Sequence, residues 1–76
     1  MMRTEIVNGR KLVCGHIYPL NELKVGTQWA PADGSDRVVE IRDIDGEWIT
    51  YGEYGNDCTY EKDHFSFQCR YCLIVK

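Results

Sequence analysis

Residues 37–63 read RVVEIRDIDGEWITYGEYGNDCTYEKD, and this stretch decides the fold of the chain. Its β-branched residues up to Ile44 favour a first strand, and Asp45-Gly46 is a two-residue hairpin signal. Trp48 begins a second strand pattern, which ends at a turn signal over residues 54–57. The stretch therefore predicts three antiparallel strands.

From residue 24 onward the chain shows five strand patterns, at residues 25–30, 38–44, 48–53, 58–62 and 69–75. Between the last two, residues 63–67 are too short for a helix but carry Phe65 and Phe67. This favours a short 3₁₀ turn that plugs one end of a barrel, with continued strand as the alternative. Five short strands with such a turn predict an all-β, five-stranded SH3-like barrel.

Residues 1–22 are predicted to form an N-terminal β-hairpin extension, with the barrel at residues 23–76. Asn8-Gly9 is the hairpin signal. A two-residue loop would pair Ile6 with Lys11 and mix the two faces, so a three-residue loop that pairs Ile6 with Leu12 is favoured. Residues 20–23 have room for one helical turn.

The composition is that of a small globular domain, with 43% hydrophobic and 28% charged residues in a chain of 76. No apolar run approaches the roughly 20 residues that span a bilayer, and the first residues lack the apolar core of a signal peptide. These observations predict one cytoplasmic domain that does not enter a membrane.

The net charge of −3 is unevenly distributed along the chain. Residues 33–63 carry ten acids and three bases, a balance of −7, whereas each flank carries +2. A nucleic-acid binder needs a stripe of positive charge, so we do not expect this chain to bind nucleic acid directly. Its acidic segment predicts a basic protein partner instead. An acidic inhibitor that occupies a partner's nucleic-acid site is an alternative.

The four cysteines are expected to be thiols or metal ligands. Cys14, His16, Cys69 and Cys72 form an alternative zinc set, but the Cys69-x-x-Cys72 spacing lies in a strand pattern, where residues three apart point to opposite faces. No cofactor is therefore predicted. Cys58 and His64 are too ordinary a combination to predict catalysis, so the chain is not expected to be an enzyme.

The run Trp48-Ile49-Thr50-Tyr51-Gly52-Glu53-Tyr54-Gly55-Asn56 resembles the third strand and following turn of the Tudor family of SH3-like barrels. Residues 39–45 are similar to that family's second strand, and residues 61–65 to its acidic strand and 3₁₀ turn. The resemblance covers roughly residues 24–75 and implies a Tudor-like barrel. The chain also resembles small bacteriophage and prophage SH3-like proteins, which implies binding to host proteins.

In Tudor readers a cage of aromatic rings holds a methylated arginine or lysine. The resemblance assigns Trp29, Tyr51 and Tyr54 to the rings and Asn56 to the polar partner, while Arg37 stands where another aromatic is expected. The alternative role for the aromatic side chains is simply to fill a small β core.

The sequence thus predicts a non-enzymatic module that binds a protein or peptide with exposed basic side chains. The predicted contact residues are Trp29, Tyr51, Glu53, Tyr54, Asn56 and Asp57. Trp48 is expected in the core, so its replacement by alanine should prevent folding, whereas Tyr54 is expected on an exposed turn.

Overall fold

The computed structural model describes residues 3–7, 9–35 and 37–75. The strands are β1 (Arg3–Val7), β2 (Arg10–Cys14), β3 (Gln28–Pro31), β4 (Val39–Asp45), β5 (Trp48–Glu53), β6 (Tyr60–Asp63) and β7 (Tyr71–Val75). A 3₁₀ turn covers Leu20–Glu22, as predicted, and a helix, α1, covers His64–Arg70. Asn8 and Asp36, which the sequence places in turns, lie outside the described residues.

The strands form one antiparallel sheet in the order β1-β2-β7-β3-β4-β5-β6. The predicted all-β class is confirmed, and all five strands expected after residue 23 are present. The sheet has seven strands rather than five because the N-terminal hairpin is not separate from it. Leu12 pairs with Ile74 and Val13 with Leu73, so β2 joins β7 and continues the sheet.

The register of the first hairpin corrects the predicted three-residue loop. Val7 pairs with Arg10 and Ile6 with Lys11, which leaves a loop of two residues. Gly9 has a φ of 78°, the left-handed conformation that two-residue hairpin turns require. Ile6 is 78% exposed, so turn chemistry, rather than the matching of apolar faces, sets this register.

The boundaries of four strands differ from the prediction, and in β4, at Val39–Asp45 rather than residues 38–44, each bound differs by one residue. β3 begins at Gln28 rather than at residue 25, because residues 25–26 form a turn in which Gly26 has a φ of 90°. β6 begins at Tyr60, two residues later than expected. β7 begins at Tyr71, because the residues before it belong to α1.

The helix α1 corrects the expectation that residues 63–67 are too short for one. The Asp63 carboxylate accepts a hydrogen bond from the Ser66 N–H at 3.0 Å and caps the first turn. Phe67 is fully buried and holds the helix against the sheet, so the helix extends to Arg70. Within the described ranges no helix is long and apolar enough to cross a membrane.

The main core lies on the face of the sheet that α1 covers, here called the inner face. Its buried members are Leu23, Trp29, Val39, Ile41, Ile49, Tyr51 and Phe67. In β5 the alternation places Ile49 and Tyr51 on this face, so Trp48 points to the opposite, outer face and is 55% exposed. The prediction that Trp48 lies in the core is therefore wrong.

The buried amide of Gln68 in α1 fastens the segment between β2 and β3 to the core. Its Oε1 accepts the Tyr18 N–H at 2.8 Å, and its Nε2 donates to the Tyr18 carbonyl at 3.1 Å. Both backbone groups of Tyr18 are thereby satisfied by one side chain. Tyr18 in turn packs its ring edge against Trp29.

A second, smaller cluster lies where β2, β7 and β3 meet. Its buried residues are Leu12, Cys14, Ala30 and Cys72, with Ile74 packed against them. Because β7 alternates, Tyr71 and Leu73 contact the main core while Cys72 and Ile74 contact the second cluster.

A disulfide joins Cys14 to Cys72, whose Cα atoms are 4.8 Å apart. The pair lies one residue beyond the Val13–Leu73 pair, so the bond directly links neighbouring positions of β2 and β7. This corrects the expectation that both residues are thiols or metal ligands. Cys58 and Cys69 are free and exposed.

Candidate functional site

Three tyrosine side chains converge at one end of the inner face, at the edge of the main core to which Tyr51 belongs. Tyr51 pairs with Tyr60 across β5 and β6, and their ring centroids are 5.9 Å apart. The Tyr71 ring, at the start of β7, lies 5.7 Å from Tyr51. Tyr51 also packs on the buried Phe67, so the core holds the inner wall of this cluster in place.

These rings line a groove of about 330 Å³, here called the tyrosine groove. Its other wall comes from the segment between β3 and β4 and from the end of β5. The residues that carry chemistry in it are Asp33, Arg37, Tyr51, Glu53, Tyr60 and Tyr71. Tyr60 is 58% exposed and Tyr71 is half-buried, so ring surface is accessible to a ligand.

The Tyr71 hydroxyl group supplies polarity without charge. Burial raises the pKa of the Tyr71 hydroxyl above its ordinary value of 10.0, and the neighbouring Tyr51 raises it further through charge repulsion and a hydrogen bond. Tyr71 is therefore neutral at physiological pH, and its ring keeps the negative face that attracts cations.

Two carboxylates border the groove. The Glu53 carboxylate lies 3.9 Å from the Arg37 guanidinium, whose side chain is 80% exposed. Asp33 accepts the Ser35 N–H at 2.9 Å, which shapes the opposite loop. An exposed ion pair of this kind contributes about 0–1 kcal/mol, so Glu53 can exchange Arg37 for another cation at little cost.

The residues predicted to form an aromatic cage are not brought together. Trp29 is 2% exposed, contacts Phe67 and donates its indole N–H to the Thr27 hydroxyl, so in this structure it is a core residue. Tyr51 and Glu53 lie in the groove. Tyr54 is 65% exposed on the β5–β6 turn, as predicted, and faces an adjoining depression that it shares with Arg37 and Glu53.

Asn56 and Asp57 lie in the β5–β6 loop, and Asn56 holds the loop rather than the groove. Its Oδ1 accepts the Cys58 N–H at 2.9 Å, and its carbonyl accepts a hydrogen bond from Arg42. Gly52 allows this loop to approach, because a Cβ at that position would clash with the Cys58 carbonyl oxygen. Asp57 is exposed.

Sequence reasoning missed Asp33, Tyr60 and Tyr71 as members of the site. The 4-residue strand β6 places Tyr60 opposite Tyr51, a pairing that appears only once the strand register is known. Tyr71 belongs to β7, three places from β5 in the strand order, and its approach to Tyr51 depends on how β7 and α1 pack. The one sequence signal was the number of tyrosines, five in 76 residues.

The alternative zinc set is not assembled in the part of the chain that the structure describes. No group of three or more His, Cys, Asp or Glu side chains comes together there as a metal site. Cys14 and Cys72 are bonded to each other, and His16 packs against the Tyr18 ring at 4.4 Å.

Comparison of the chain with protein-family models, with curated proteins and with solved structures gives no match.

Proposed function

We propose that this chain is a non-enzymatic binding module whose tyrosine groove takes one cationic side chain, arginine or lysine, from a basic protein or peptide. One observation carries the proposal: the Tyr60 and Tyr71 rings each lie within 6 Å of the Tyr51 ring, in a groove that Glu53 also lines. Ring faces attract cations by about 0.5–2 kcal/mol each, and a planar guanidinium also stacks on them.

Arg37 takes the role of an internal competitor in this proposal. Its guanidinium lies beside Glu53 at the border of the groove, where a ligand cation would bind. The segment from residue 33 to 63, with its balance of −7, attracts a basic partner over distances up to about 8 Å at physiological salt.

We also propose that β3 to β7 form a five-stranded SH3-like, Tudor-like barrel to which the hairpin adds two strands. The support is the strand order β7-β3-β4-β5-β6, together with the position of α1 between β6 and β7. In this arrangement the groove lies between the β3–β4 segment and the strands β5 and β6. The resemblance to phage and prophage proteins remains part of this proposal.

Cytoplasmic location stays a prediction. In the cytoplasm the Cys14–Cys72 disulfide would have to persist against a reducing pool of thiols. Disulfides are more common in oxidising compartments.

A labelled glycine-serine peptide with one central arginine tests the groove by fluorescence anisotropy. Tyr60→Ala is expected to weaken its binding at least about fivefold, because one ring of the groove is lost. Arg37→Ala is expected to strengthen it about two- to threefold, because the competing guanidinium is gone. Both positions are exposed, so melting temperatures should change little.

Phe65→Ala is the matched control, since Phe65 is an aromatic of similar exposure, 57%, that does not line the groove. The same peptide with citrulline in place of arginine keeps the shape of the side chain and removes its charge. Equal binding of the two peptides, or an equal loss in Phe65→Ala and Tyr60→Ala, would exclude the groove as a cation site.

A further inference from the structure

The outer face of β4, β5 and β6 carries regularly spaced acidic side chains and Trp48, none of which lines the tyrosine groove. The register places Asp45, Trp48 and Asp63 in one row across the three strands. The next row holds Asp43, Thr50 and Glu61. Residues directly opposite each other in antiparallel strands share a face, so these six side chains form one surface.

Two lines of carboxylates run along this surface, one on each side of β5. Asp43 and Asp45 are two residues apart on β4, and Glu61 and Asp63 are two residues apart on β6. Alternate residues in a strand are about 6.6–6.8 Å apart, and strands separated by a third are about 9.5 Å apart. These side chains therefore form a strip, here called the acidic strip, with carboxylates along both sides and Trp48 between them.

No carboxylate of the strip forms a salt bridge with a described lysine or arginine, although the charge of Lys62 attracts Asp63. Within 4.0 Å, no lysine or arginine of the described ranges contacts Asp43, Asp45 or Glu61. Asp63 accepts the Ser66 N–H, and this hydrogen bond lowers the pKa of its carboxyl group. Trp48, which lies between the two lines of carboxylates, is 55% exposed.

We propose that this strip is a second interaction surface, which binds an extended segment of a protein partner with arginines or lysines at alternate positions. An extended segment repeats its side chains on one face every 6.6–6.8 Å or so, which matches the spacing of the carboxylates. Trp48 supplies a ring on which a central guanidinium stacks, since Trp attracts a cation more strongly than Tyr or Phe does. Charge complementarity identifies the occupant as cationic polypeptide.

This surface is separate from the tyrosine groove. Trp48 and Tyr51 lie on opposite faces of β5, because three residues along a strand reverse the face. The groove takes a single cation among three rings, whereas the strip takes several cations at regular spacing. The two proposals therefore stand or fail independently.

The test uses a labelled peptide of alternating arginine and serine, with four arginines, and the 76-residue chain in the Tyr60→Ala background, where binding by the groove is weakened. Trp48→Ala is expected to weaken binding at least about fivefold. The double variant Asp45→Asn, Glu61→Gln is expected to weaken it about tenfold at low salt, because two of the four carboxylates are lost.

Glu22→Gln is the control, because Glu22 is an exposed acid on the 3₁₀ turn, off the strip. It is expected to change affinity less than twofold. Trp48 is the one exposed tryptophan of the two in the chain, so its fluorescence should also shift on binding. An equal loss in Glu22→Gln and in the strip variants, or tight binding without any change in Trp48 fluorescence, would overturn the proposal.

Discussion

Loss of the Cys14–Cys72 disulfide is expected to lower the free energy of unfolding by about 4 kcal/mol. The bond joins residues 58 positions apart. In the chain-entropy model, closing a loop of this length lowers the conformational entropy of the unfolded chain, which raises its free energy by about 4 kcal/mol. For so small a domain this is a large part of the total stability. The melting temperature should be lower by roughly 15–30 °C when a phosphine reductant is present.

The double variant Cys14→Ala, Cys72→Ala should reproduce the melt of the reduced protein, which separates loss of the bond from slow access of the reductant. Cys58→Ser and Cys69→Ser serve as controls, because both side chains are exposed and free. Their melts should match the wild type to within a few degrees. Identical melts for the double alanine variant and the oxidised wild type would show that the bond does not stabilise this fold.

Trp29→Ala is expected to cost about 3–5 kcal/mol, whereas Trp48→Ala should cost less than about 1 kcal/mol. Trp29 is 2% exposed and packs edge-on against Phe67 and Tyr18, so its removal leaves a cavity at the centre of the main core. Trp48 is 55% exposed on the outer face. Urea unfolding of the two variants measures both values directly.

Trp29→Phe is the graded control, because it keeps an aromatic ring but loses the hydrogen bond from the indole N–H to Thr27. Its cost should lie between those of wild type and Trp29→Ala. If instead Trp48→Ala unfolds the chain and Trp29→Ala is tolerated, the assignment of inner and outer faces of β5 is wrong.

The alternation of residue types was enough to predict the strands but not their faces. β5 was predicted with its observed bounds, because β-branched and aromatic residues fill it between two turn signals. Which face of β5 is buried depends on the helix α1, which packs against only one of them. Ile49 and Tyr51 are apolar on one face and Trp48 is apolar on the other, so pattern alone could not decide, and the packing of Phe67 from α1 selects Tyr51.

Long-range pairing accounts for two of the other differences, the helix and the disulfide. The helix was missed because its cap, the Asp63 carboxylate on Ser66, and its anchor, Phe67, act together only when the sheet is present. The disulfide was missed because nothing local brings Cys14 next to Cys72 until β2 pairs with β7.

The sequence predicted the chemical character of the candidate site better than the residues that form it. Tyr51 and Glu53 were identified, and an aromatic surface beside acids was expected. Tyr60 and Tyr71 reach Tyr51 from β6 and β7, which lie at different places in the strand order. Trp29, by contrast, was assigned to a cage by resemblance but fills the core.

The most direct measurement of the proposed function is a ¹³C–¹H aromatic NMR titration of tyrosine-labelled protein with the single-arginine peptide. The chain has five tyrosines, three in the groove, Tyr54 on the adjoining turn and Tyr18 against Trp29. The proposal predicts saturable shifts of Tyr51, Tyr60 and Tyr71, an unmoved Tyr18, and no response to the citrulline peptide. Shifts confined to Tyr54, or equal shifts with both peptides, would contradict it.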